Sequence, residues 1–251
     1  MGKTSCRDKI LVIGESCMDV FCYGRVERLC PEAPAPVFNP VAETRNPGMA
    51  KNVQKNVESL GGICELYTNQ NWENVTKTRY VHNNTNQMFV RVDKNDDKIE
   101  RSERLDEIEY KKYGLIIISD YNKGFLTEED ILKISSKHDN VFLDTKKKLG
   151  SWCRNVNFIK INNYEFNKAR DLIDEHIRGK LIVTLGKDGC LFQEKTYSVK
   201  EVEIKDVSGA GDTFISALAV EYDKSRNIEK AIVFANECAT KVVQKKGVST
   251  I

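Results

Sequence analysis

Short apolar runs separated by charged, helix-forming stretches are the feature that most narrows the folds open to this chain. Lys9–Gly14, Leu115–Ser119, Val141–Asp144, Phe158–Asn162 and Leu181–Thr184 are each a few residues long and bounded by polar or turn-forming residues, so they read as buried strands. Thr127–His138 and Glu165–Glu175 read as helices, the first beginning at Thr127 with Glu128 and Glu129 in its opening turn. This alternation predicts an α/β fold: a central, mostly parallel sheet with helices on both faces. Ligands of such sheets gather at the carboxyl ends of the strands. Asp19, Asp120, Asp144, Asn162, Thr184 and Asp212 all fall at or just beyond expected strand ends.

Two regions break the alternation. One is Val37–Thr44, with the proline-rich Cys30–Pro36 before it; the other is Thr78–Asp93, where Tyr80-Val81 and Met88–Val92 flank the turn-forming Asn83–Asn86. Together they predict a small β lid, with segments about 30–45 and 78–93, or else a surface excursion without function. At 251 residues the chain fits a single domain, 1–251, carrying that lid.

Composition excludes several classes. Lys+Arg 39 against Asp+Glu 37 leaves a formal charge of +2, too balanced for a nucleic-acid surface. Eight cysteines without a Cys-x-x-Cys pair, and only three histidines, support neither a zinc site nor a disulfide framework. They read as reduced thiols in a cytoplasmic protein. No apolar stretch has the length of a membrane span, and the start has no signal-peptide core. Gly2-Lys3-Thr4 lacks the glycine-rich run of a P-loop, and Cys6 breaks a myristoylation pattern.

The most telling local pattern is Ser208-Gly209-Ala210-Gly211-Asp212-Thr213. The alternating Tyr197–Ile204 ahead of it predicts a strand, and Phe214, Ile215, Leu218, Ala219 and Tyr222 behind it recur at helical spacing. Gly209 and Gly211, with Ala210 between them, allow backbone amides to point outward at the start of a helix, which makes an anion cradle. A carboxylate at the lip of such a cradle is a poor anion ligand, so Asp212 reads as the acceptor of a proton from a hydroxyl attacking a phosphate. The same residues also permit ordinary turn glycines with Asp212 as a helix N-cap.

Val207–Thr213 resembles the Thr-Gly-Ala-Gly-Asp signature of the ribokinase-like, or PfkB, sugar kinases. Further segments are similar to the heptose 7-phosphate kinase branch of that family: Ile13–Asp19 followed by Arg28–Val37, Asn46–Val53 running on to Gly61, and Ile118–Gly124. The resemblance implies a ribokinase-like fold and an ATP- and Mg2+-dependent transfer of the γ-phosphoryl group to a sugar hydroxyl, the anomeric one of D-glycero-D-manno-heptose 7-phosphate. It leaves open a kinase for another sugar, sugar phosphate or nucleoside, or a relative that binds sugar or nucleotide without turnover.

For the sugar the resemblance implies Asp19, Gly48 and Asn52, residues whose donors and acceptors suit vicinal hydroxyls. Asp19 could instead cap a turn and Asn52 start a helix. Lys51 and Lys123 either meet a phosphate or are solvated. For the nucleotide it implies Lys146 in Asp144-Thr145-Lys146, Asn162 with Glu165, the turn Thr184–Gly189 with Gly186 and Gly189, and Asn236. Glu165 would reach the magnesium through water, and it also fits a first-turn glutamate after an Asn162 cap.

Met49 stands where the family has a second glycine, which would crowd a substrate near the backbone. Between Leu66 and Lys77 the chain is shorter than the family pattern, so one peripheral α/β unit is expected to be missing. The resemblance also implies a homodimer paired through the lid, and a separate nucleotidyltransferase if adenylylation follows.

Overall fold

Alternate residues of the apolar runs face opposite ways, and that alternation builds two cores around one sheet. The computed structural model describes residues 9–251; Gly2-Lys3-Thr4 and Cys6 lie outside the described residues. Strand β1 (Lys9–Gly14) sends Leu11 and Ile13 to one face and Ile10 and Val12 to the other. On the first face they meet Ile131 and Ile134 of helix α2 (Glu128–Lys137). On the second they meet α1 (Ala50–Ser59), α5 (Ala210–Ser225) and α6 (Ile228–Val242).

The remaining strands of this sheet are β4 (Ile63–Tyr67), β7 (Leu115–Asp120), β8 (Val141–Thr145), β9 (Phe158–Asn162), β10 (Leu181–Thr184), β11 (Cys190–Phe192) and β12 (Lys195–Tyr197). Their order is β12-β11-β10-β9-β8-β7-β1-β4. Pairing is parallel from β4 to β10 and antiparallel at β10-β11-β12. The five apolar runs named from the sequence are β1, β7, β8, β9 and β10.

A second, four-stranded sheet has the order β3-β2-β5-β6. It is built from β2 (Ser16–Leu29), β3 (Pro36–Met49), β5 (Thr76–His82) and β6 (Met88–Lys94). This is the small lid-like sheet, and it reaches further back than the expected segments because β2 starts two residues after β1 ends. Asp19 therefore lies inside β2, opposite Asn46 of β3, rather than at the end of a central strand.

Two expected elements differ. Tyr197–Ile204 is not a strand: β12 stops at Tyr197, and residues 198–209 run without regular structure across the top of the sheet. Its alternating valines and Ile204 line a cavity instead of a pleat. Glu165–Glu175 is not one helix. It is α3 (Asn163–Ala169), a 3-10 turn at Arg170–Leu172 and α4 (Glu175–Arg178), the last begun by Asp174, whose side chain caps Ile177 N–H. The helix expected from Thr127 forms, and it is closed by a capping box in which Thr127 and Asp130 bond reciprocally.

Candidate active site

Asp120, Asp144, Asn162 and Thr184 stand at the carboxyl ends of β7, β8, β9 and β10; Asp144, Asn162 and Thr184 line one bay of about 510 Å³ together with Gly209, Gly211 and Asp212 at the start of α5, while Asp120 is buried and bonded to Thr145 and Lys147. The N-cap of α5 is Gly209, at φ 81, so Asp212 is a first-turn residue and not the cap. A Cβ on Gly209 would lie 2.9 Å from Asn52 Nδ2, and one on Gly211 would lie 2.8 Å from Lys160 Nζ. Gly209 is required by its left-handed backbone and the bonded Asn52 against it, whereas at Gly211 a side chain would press on the end of Lys160. Ala210 N–H is bonded to the carbonyl of Val207. The amides of Gly211 and Asp212 lie in a first turn that offers them no helical acceptor.

Asp212 is buried and doubly held: Asn52 Nδ2 donates to Oδ2 at 2.9 Å and the Tyr121 phenol donates to Oδ1 at 2.7 Å. Burial pushes its carboxyl up to about 6, while the bonds from Asn52 and Tyr121 pull it down, nearby Asp144 pushes it further up and Lys160 pulls it down. An acid in that range is ionised near neutrality and can still accept a proton. Asn52, third residue of α1, is itself fixed by Asn56, which in turn accepts from Thr213 Oγ1 at 3.0 Å.

The bay is cationic on its far wall. Lys160 is buried and pairs with Asp144 Oδ2 at 2.7 Å. Lys146 reaches Glu165 Oε1 at 2.5 Å and Asp144 Oδ1 at 3.8 Å. Burial alone would lower Lys146, but Asp144 and Glu165 outweigh it, so it stands raised and charged. Asn162 and Glu165 form a reciprocal capping box at the start of α3, and of the two it is Asn162 that lines the bay. Among the described residues no cluster of three or more His, Cys, Asp or Glu could hold a metal by itself.

Beside the bay lies a more apolar slot of about 290 Å³. Thr184, Gly186, Val207 and Gly211 line both spaces; Gly189, Phe214 and Asn236 line the slot. Asn236 is held by donating to Tyr197 O at 2.8 Å. Gly186 and Gly189 have φ 64 and φ 87, and a Cβ on Gly189 would collide with Tyr197 O.

The remaining expected residues are engaged with neighbours of their own. Asp19 is paired with Arg79, and Gly48 lies so close to Asp19 that a Cβ there would overlap its carboxylate. Lys123 pairs with Asp96, which also holds Lys77 at 2.7 Å. Lys51 bonds Gln54 at 2.9 Å and lies over the Trp72 ring, away from Asp212. Met49 is buried in the apolar cluster beside Cys17 and Val75, so its side chain occupies core rather than pocket; what it brings to the site is a backbone at φ 59, ψ −135.

Sequence reasoning missed Lys160, Tyr121, Glu15 and Arg79. For Lys160 a signal existed, a lone charge between Ile159 and Ile161 in a buried strand. Tyr121 lay within a noted segment, but its bond to a residue 91 positions later is visible only in three dimensions.

A mostly parallel, doubly wound sheet with a small β sheet over its carboxyl edge is the fold of the ribokinase-like kinases. The chain belongs to the pfkB family of carbohydrate kinases, whose family model matches residues 67–251. Among curated relatives, "Bifunctional protein HldE" of a Nitratiruptor species is 30% identical over 97% of this chain, and that of Helicobacter acinonychis is 33% identical over 95%. This chain spans 63% of the length of each. Among solved structures, ribokinase from Thermotoga maritima superposes with a TM-score of 0.73 at 17% identity, covering 95% of this chain and 94% of that one. A nucleoside kinase from Methanocaldococcus jannaschii superposes with 0.70 at 18% identity, covering 96% and 93%.

Proposed function

We propose that this chain transfers the γ-phosphoryl group of ATP to the anomeric hydroxyl of D-glycero-D-manno-heptose 7-phosphate, giving the 1,7-bisphosphate and ADP. The observation that carries the reading is Asp212: a buried acid with its carboxyl near 6, at the first turn of α5, facing a bay walled by Lys146 and Lys160. In the reaction the hydroxyl proton passes to Asp212, the sugar oxygen bonds to the γ-phosphorus, and the β–γ bridging oxygen leaves with ADP. The amides of Gly211 and Asp212, with Lys160 above Gly211, lie where charge on the transferred group would be balanced.

The base would occupy the apolar slot beside Gly189 and Asn236, with the phosphates running past Gly186 toward Lys146. Asp19, Gly48 and Asn52 would bind the sugar, with Lys51 and Lys123 available to its distal phosphate. Mg2+ would neutralise the phosphate oxygens. The donor set fits an ion carried in on the nucleotide and met through water, because both oxygens of Glu165, the one candidate acid, are already bonded.

Residues 1–251 act as one kinase domain whose lid excludes water from the transfer. Val41, Met88, Val90 and Val92 are exposed on the lid strands, which supports pairing of two copies through it. The enzyme works in the cytoplasm, where ATP is available, and a nucleotidyltransferase would use its product. No helix of the described residues is long and apolar enough to cross a membrane.

ADP release measured across heptose 7-phosphate, fructose phosphates, ribose and adenosine tests the acceptor. Release with heptose 7-phosphate alone supports the reading; release with another acceptor replaces it, and release with none leaves a binding protein. Asp212→Asn is expected to abolish turnover with ATP affinity held within a few-fold, and unchanged turnover would remove Asp212 as the base.

A further inference from the structure

Glu15 sits between β1 and β2, fully buried, and the reaction as described makes no use of it. Its two carboxylate oxygens accept from two backbone amides of one loop: Oε2 from Tyr121 N–H at 2.8 Å and Oε1 from Lys123 N–H at 2.9 Å. Asn122 at φ 56 and Gly124 at φ 99 curl that loop so that both amides converge on one acid. The loop carries a single side chain to the bay, Tyr121, whose ring has Lys146 Nζ 5.6 Å from its centroid and whose phenol ends on Asp212 Oδ1.

We propose that Tyr121 is the positioning residue of the base: the phenol, fixed by the Glu15 clamp, donates to one oxygen of Asp212 while Asn52 donates to the other, orienting the carboxylate and favouring its ionised form. This deepens the assignment of Asp212 as base and rests on it for its catalytic meaning. Two donors use only part of the capacity of a carboxylate, so lone pairs remain for the incoming hydroxyl. The phenol is kept a donor because burial and the charge of Asp212 hold it well above its ordinary range.

Other groups also act on Asp212. Asp144 of β8, Lys160 of β9, Lys146 after β8 and Cys17 of β2 lie within electrostatic reach, alongside the Asn52 amide of α1. Among the described residues only Tyr121 and Asn52 bond its carboxylate by side chain, and Tyr121 loses that donor on removal of a single oxygen.

The experiment is a carboxyl titration by 13C NMR on the full chain with labelled aspartate, the Asp212 resonance being assigned from its loss in Asp212→Asn. In Tyr121→Phe the midpoint is expected to rise by about one pH unit from its value near 6, the loss expected for a hydrogen bond to a charged group. Replacing Tyr121 by 3,5-difluorotyrosine, which keeps the ring and strengthens the donor, is expected to lower it; this arm carries the test if the phenylalanine variant does not fold. Midpoints that stay put, or that move the same way in both variants, overturn the proposal.

In turnover the acidic limb of kcat should follow the same two directions, since substrate ionisation is common to all the enzymes compared. If Asp212→Asn keeps full turnover, the base assignment fails while the titration still decides whether Tyr121 sets the carboxyl.

Discussion

Replacing Gly209 by alanine should cost more than the strain of its backbone, and the excess is traceable to one contact. Gly209 holds φ 81, ψ −3, a left-handed conformation that costs an alanine roughly 1–2 kcal/mol. The new Cβ would also lie 2.9 Å from Asn52 Nδ2. Asn52 cannot yield freely, because it is 1% exposed and bonded to both Asp212 and Asn56. Displacing it gives up a hydrogen bond to a carboxylate, about 1.5–3 kcal/mol. Gly61 supplies the control, since it has φ 79 and nothing within 4 Å of a built Cβ.

Gly61→Ala should therefore lose roughly 1–2 kcal/mol with normal turnover, and Gly209→Ala should lose about 2 kcal/mol more. Because in the proposed reaction the displaced group would orient the base, turnover of Gly209→Ala should fall by roughly thirtyfold or more, the kinetic equivalent of about 2 kcal/mol. Urea unfolding of both variants and ADP release read the two quantities. Equal destabilisation of the two, with turnover intact in Gly209→Ala, would show that Asn52 moves aside at no cost and would refute the argument that the contact holds the base.

Met49 has φ 59 and is buried, so glycine there removes strain of about 1–3 kcal/mol while losing a buried side chain worth a similar amount. Met49→Gly should thus melt above Met49→Ala, which loses the packing and keeps the strain; the reverse order in thermal unfolding would contradict the strain. For Asp212 the folded value of about 6 stands above the ordinary 3.8. Its stability contribution is therefore fully present below about pH 4 and lost as pH rises through about 6. Asp212→Asn should be more stable than the parent by up to about 3 kcal/mol above pH 6 and indistinguishable near pH 4. A gap of constant size across that range in urea unfolding would sink the burial argument.

Much of the central sheet was legible because β1 and β7 to β10 are short apolar runs whose burial on both faces leaves few other solutions. The Asn162–Glu165 cap was legible for the same local reason, since it is closed by residues three apart. Residues 198–209 misled because alternation satisfies a cavity wall as well as a strand, and only the neighbours decide which. Phe166, Ala169, Ile173 and Ile177 pack on one core at helical spacing, so periodicity hid the break after α3; Asp174, which caps α4, was the local sign of it.

The sequence by itself determined the α/β layering, the glycines of the cradle and the acid at its edge, because periodicity, backbone permissiveness and charge act within a few residues. Only the tertiary structure decided what surrounds that acid. Tyr121, Asn52 and Lys160 come from three distant segments, and the low-dielectric space they enclose, which lifts the Asp212 carboxyl toward neutrality, exists only once the sheet, α1 and α5 have packed together.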